Sequence, residues 1–163
     1  MLKLLDEKFE AILGAILLAF IVLLISVQVV MRYVFQNSLS WSEELVVWTF
    51  IWFIWIGVAL AFKERKHVKV TFFQDLLPGK LKYYLEVLVD VLIVVFLLII
   101  SYQSFKLMSL PYVLSQNSVV LNTPIVVMYA SAPVGALLSV FRIVQFYVVK
   151  KNKQPVLEQL AEV

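Results

Sequence analysis

Two ionisable side chains sit deep in apolar sequence, and they are the first candidates for chemistry. Asp90, with Glu86 one turn before it, lies eight residues beyond Lys82, and Arg142 lies eight residues short of Lys150. At about 1.5 Å rise per helical residue, both fall roughly 12 Å inside one membrane boundary. A charge at the membrane centre costs about 2.5–3.5 kcal/mol and less nearer the edge, so such groups pair or line a pathway. Equal depth and opposite sign predict a structural Asp90–Arg142 ion pair. A proton or ion relay, or a pair made with another subunit, would use the same two groups.

A second charged set brackets a short loop. Arg32 follows one apolar run, and Ser40-Trp41-Ser42-Glu43-Glu44 precedes the next. Ser40 with Glu43 three residues on fits a capping box. Acids at a helix start also suit the macrodipole. Arg32 with Glu43 and Glu44 can therefore clamp two helix ends, or, with Trp41, present an acidic patch to a docking partner.

The remaining candidates are packing residues. Trp48, Trp52 and Trp55 form one stripe with Trp41 at its interfacial end, and buried indoles need a hydrogen-bond partner. Gly57 with Ala61, and Ser131, Gly135 and Ser139, are small residues four apart, the spacing that lets helices approach closely in a membrane. Together these predict a seam with another membrane protein or, for the tryptophan stripe, a face turned to lipid.

Other chemistry is excluded by what is missing. The chain has no cysteine, which removes disulfides, thiolate metal sites and a cysteine nucleophile. Its single histidine, His67, cannot provide bis-histidine haem ligation and reads as an interfacial anchor. No catalytic residue, metal or cofactor is expected. With 163 residues, 63% of them hydrophobic, little remains for a soluble catalytic domain. The basic residues read as loop anchors beside membrane lipids, not as a nucleic-acid surface.

These groups must be positioned by helices that cross a bilayer, since a core of about 30 Å takes about 20 helical residues. The spans expected are Ala11–Met31, Leu45–Phe62, Leu81–Lys106 and Pro124–Val149, with Ser109–Thr123 as a loop. All Lys and Arg except Arg32 and Lys106 fall on one side, which predicts both termini in the cytoplasm. Val68, Phe72, Phe73, Leu76 and Leu77 recur at helical spacing and predict a short interfacial amphipathic helix, stopped at Pro78-Gly79. The fold class is an all-α membrane protein: one four-helix domain over residues 1–150 and a polar cytoplasmic tail over 151–163.

The motifs also carry a family resemblance. Gln28, Arg32-Tyr33-Val34-Phe35, Ser40-Trp41-Ser42-Glu43-Glu44, Gly57 with Ala59, His67-Val68, Leu77-Pro78, Tyr129 with Pro133-Val134-Gly135, and Arg142 occur in order through the four spans. In these the chain resembles the small membrane subunit, the DctQ-like component, of tripartite ATP-independent periplasmic (TRAP) transporters. It departs where Ile125-Val126-Val127-Met128 follow Pro124, a place where the family often has tryptophan. The resemblance implies a non-catalytic subunit in the bacterial inner membrane. Its implied partners are a large membrane subunit, which carries the substrate and sodium sites, and a periplasmic binding protein delivering an organic acid of C4-dicarboxylate or sialic-acid type. The rival is an autonomous four-helix transporter acting as a homo-oligomer, which needs a mid-membrane acid in its first span; none lies between Glu10 and Arg32.

Overall fold

The structure, a computed structural model, describes the backbone of residues 2–64 and 79–161 and the side chains of residues 8–64, 84–85 and 87–148. The expected amphipathic helix and His67 lie outside the described residues, as does the side chain of Glu86. The elements are α1 (Leu2–Tyr33), α2 (Ser40–Lys63), α3 (Gly79–Met108), α4 (Pro111–Ser115), α5 (Val126–Tyr129) and α6 (Ser131–Ala161). No strand occurs among the described residues beyond an isolated bridge between Asn117 and Pro124.

Among the described residues, four helical stretches are long and apolar enough to cross a membrane: Lys8–Tyr33, Ser40–Lys63, Val87–Met108 and Val126–Val148. Hydrocarbon offers no partner for a free N–H or C=O, so an apolar run of this length satisfies its backbone internally as helix. Polar side chains within the spans follow the same rule. Ser26 donates to the carbonyl of Val22 at 2.8 Å, Thr49 to Leu45 at 2.8 Å and Ser139 to Gly135 at 2.7 Å, each one turn back.

Three boundaries differ from expectation. Helix already covers the lead-in from Leu2, and α6 runs on to Ala161 through the expected tail, whose Lys, Gln, Leu and Glu are good helix formers. The fourth span is broken at Ala130, between the short α5 and α6. Pro133 lies in the first turn of α6, where a missing N–H leaves no helical bond unmade.

The long helices pack as a row. α1 lies along α2, α2 along α6, and α6 along α3, which puts α1 and α3 at the two edges. In the fourth span 39% of residues are buried, against 11% in the third, so α6 is the most enclosed member and most of the surface stays open. Leu97, Ala136 and Ile143 form the core between α3 and α6, flanked by Trp55, Phe62 and Tyr147. Between α2 and α6 the approach is close at Gly135, where an added Cβ would stand 2.5 Å from the Cβ of Trp55.

Candidate functional site: the two charged ends of the helix row

At the end where α1 begins and α2 finishes, three charged side chains meet inside the protein. Glu10 is fully buried; its Oε2 is 2.6 Å from Lys63 Nζ and its Oε1 is 2.5 Å from Arg142 Nε. Arg142 also donates from Nη1 to Gln145 Oε1 at 2.5 Å and lies 5.6 Å from the centroid of the Phe141 ring. One carboxylate from α1 thus joins a lysine of α2 to an arginine of α6.

Arg142 is thus paired with Glu10, and Asp90 accepts a hydrogen bond from the Tyr147 hydroxyl in the seam between α3 and α6. Depth along a helix says nothing about rotation around it. Arg142 and Tyr147 are five residues apart, about 140° around the helix at about 100° per residue, so one faces α1 and α2 while the other faces α3. Glu10 stands one residue before the uncharged run, among the mixed charges of the lead-in, which hides it as a membrane-facing acid. The available signal was that it is the acid nearest the first span at the same end as Lys63 and Arg142.

The seam residues also separate. Trp48, Ser131, Gly135 and Ser139 are buried within the chain. Gly135 lies against Trp55, so the small-residue face of α6 packs on α2. Trp52 lines a groove of about 300 Å³ between α1 and α6, together with Leu13, Leu17, Trp55, Ile56 and Glu10. Gly57 is different: an added Cβ there would meet nothing within 4 Å. Val47, Phe50 and Ile54 are exposed in line with Gly57 and half-buried Ala61, a stripe left open on α2.

At the other end, Leu39 is the N-cap of α2 and no side chain caps the helix, so the expected capping box at Ser40 does not form. Instead, Ser42 donates to the Leu39 carbonyl at 2.7 Å. The two acids, freed from capping, take different partners. Glu43 Oε1 accepts from Gln28 Nε2 at 2.8 Å and stands 3.6 Å from Arg32 Nη2, which links α2 to the end of α1. Glu44 Oε2 accepts the backbone N–H groups of Val120 and Leu121 at 3.3 and 3.2 Å. Trp41 beside them is exposed.

The two carboxylates should differ in weight. Arg32 and Glu43 are more than half exposed, and exposed pairs contribute about 0–1 kcal/mol. Hydrogen bonds to a charged group contribute about 1.5–3 kcal/mol. Glu44→Ala is therefore expected to lower stability more than Glu43→Gln, which keeps an acceptor for Gln28 and loses only the exposed pair, by about 1 kcal/mol in unfolding of the chain in detergent. Equal losses would show that the two acids do the same work.

Among the described residues, no group of three or more His, Cys, Asp or Glu side chains could hold a metal ion. The charged groups tie helices and a loop together.

Comparison with known proteins agrees with this architecture. The family model for the DctQ component of tripartite ATP-independent periplasmic transporters matches residues 21–150. A Haemophilus influenzae protein described as a TRAP transporter small permease is 26% identical over 152 residues, covering 93% of this chain and 90% of its own length. The sialic acid TRAP transporter small permease protein SiaQ of Vibrio cholerae is 30% identical over 95 residues, 58% of this chain and 55% of its own length. The isethionate TRAP transporter permease protein DctMQ of Oleidesulfovibrio alaskensis is 29% identical over 148 residues, 86% of this chain but 23% of its own length. Four apolar spans, the motifs along them and a family match over most of the length agree: the chain belongs to the DctQ component family of TRAP transporters, as a multi-pass membrane protein.

Proposed function

We propose that this chain is the non-catalytic small permease subunit of a sodium-coupled TRAP transporter for an organic acid. In this reading it sits in the bacterial inner membrane with both termini in the cytoplasm, supports a large membrane subunit and helps dock a periplasmic substrate-binding protein. The observation that carries the reading is the Oleidesulfovibrio permease, in which a segment similar to this whole domain is a minor part of one longer chain. A segment joined covalently to a permease in one protein is expected to associate with such a permease when it is separate. Relatives named for sialic acid and C4-dicarboxylate transport support the substrate class.

The row of helices gives this a physical basis. A row with α1 and α3 at its edges leaves much apolar surface uncovered. Lipid tails give helices little hydrophobic reason to associate, so a permanent partner must be held by close packing at small residues. The open stripe of Val47, Phe50, Ile54, Gly57 and Ala61 has that character. The charge distribution supports the orientation, with Arg32 and Lys106 the only basic residues at the end assigned to the periplasm.

The test is reconstitution with and without a large subunit. Liposomes holding this chain alone should show no sodium-dependent uptake of any organic acid, and uptake should appear when the large subunit and binding protein are supplied. Uptake by the chain alone would favour an autonomous transporter. Gly57→Leu should lower co-purification with the large subunit while leaving the isolated chain as stable as wild type. Unchanged co-purification would place that stripe against lipid.

A further inference from the structure

The loop after α4 is more ordered than its composition suggests. Ser118 N donates to the Thr123 carbonyl at 2.9 Å and Ile125 N to that of Gln116 at 3.1 Å, on either side of the Asn117–Pro124 bridge. Inside the turn, Leu121 N donates to Ser118 Oγ at 3.1 Å, and Asn122 takes φ 51°, a left-handed value that Asn tolerates better than most residues. Glu44 reaches in from α2 to hold the N–H groups of Val120 and Leu121. Residues 116–125 thus form a small hairpin pinned on the end of α2. At its tip Val119 is 97% exposed, the most open large hydrophobic side chain described.

We propose that this hairpin is the element of the subunit on which the incoming periplasmic protein seats, with Val119 as its apolar contact and Glu44 as the residue that positions it. The inference rests on the docking reading above and assigns it a place. An apolar tip within a polar collar of Gln116, Asn117 and Asn122 has the core-and-rim composition of a protein interface. A loop already held in one shape loses less freedom on binding. A membrane anchor would look different. Interfacial elements carry Trp, Phe or Leu with Lys or Arg; of these, residues 116–125 contain only Leu121, which is half-buried.

The experiment titrates the binding protein against the assembled transporter in proteoliposomes. Burying one valine is worth roughly a tenfold change in affinity. Val119→Asp should therefore raise the half-saturating concentration roughly tenfold or more, with maximal uptake and complex yield unchanged, and Val119→Leu should stay within about twofold. Glu44→Ala should give a smaller rise together with faster amide exchange at Val120 and Leu121. A wild-type half-saturating concentration for Val119→Asp overturns the proposal. So does loss of co-purification, which would give the tip to the large subunit. Quenching of a fluorophore at Val119→Cys by lipid-borne quenchers, in place of protection by the binding protein, would give it to the membrane. If Val119→Asp is silent while Arg32→Glu raises half-saturation, docking stands and the hairpin falls. If both are silent, the docking reading falls with it.

Discussion

Glu10→Leu is expected to destabilise the folded chain by about 3–5 kcal/mol, the usual penalty for removing one member of a buried ionic group. Glu10 is fully buried, while Lys63 and Arg142 keep 19% and 6% of their side-chain surface. Taking the carboxylate away leaves two cations sharing a site that water reaches poorly. The measurement is unfolding of the chain in detergent, with membrane yield alongside. Combining Glu10→Arg with Arg142→Glu should recover part of the loss from either reversal alone, because residues in one network are not additive. An unfolding midpoint for Glu10→Leu equal to wild type would remove the network from the account of stability.

Gly135→Ala should produce the second large effect. The new methyl would stand 2.5 Å from Trp55 Cβ and 3.0 Å from Cγ and Cε3 of the same indole, closer than real side-chain carbons come. Overpacking of this kind costs about 1–3 kcal/mol, and Gly135→Leu more. The identity of the nearest atom sharpens the test. Because it is the Cβ of Trp55, shortening that residue to alanine leaves the clash in place, and only glycine at position 55 removes it. Trp55→Gly should therefore rescue Gly135→Ala where Trp55→Ala does not, read as coupling between the two positions in unfolding. Equal rescue by both would mean that the backbones of α2 and α6 move apart freely. Gly57→Ala is the internal contrast: with nothing within 4 Å it should raise helix stability, by about 1 kcal/mol on propensity alone.

The parts of the fold that were legible are those that lipid dictates. Three of the four expected spans each fall on one helix, and the fourth on α5 and α6, because an apolar run of that length has no other way to satisfy its backbone. Arg32, Glu43 and Glu44 were legible as a set because they crowd a short loop between two spans. Their division of labour was not: Glu44 meets a segment 76 and 77 residues away, and no local pattern announces that. The partner of Arg142 was hidden for a related reason. Spacing fixes depth, while the faces that helices turn to one another depend on the order in which they pack. The small residues of α6 gave the right signal, a close helix contact, but a spacing of four does not say whether the neighbour belongs to the same chain. Leu39 at the N-cap shows the same limit locally, since Ser40 had the chemistry for the role and the helix began one residue earlier.

The row of helices also has a consequence for how the protein is made. Synthesis delivers α1 and α2 first, and these neighbours in sequence are neighbours in space, so they can settle as a hairpin as soon as both emerge. α3 comes next, yet its extensive contacts are with α6, which is synthesised after it. A chain that has reached Met108 therefore holds a finished hairpin and a lone helix. Until α6 arrives to join them, the insertion machinery or the surrounding lipid must keep α3 in place, and its membership of the fold is decided only once that later helix has been made.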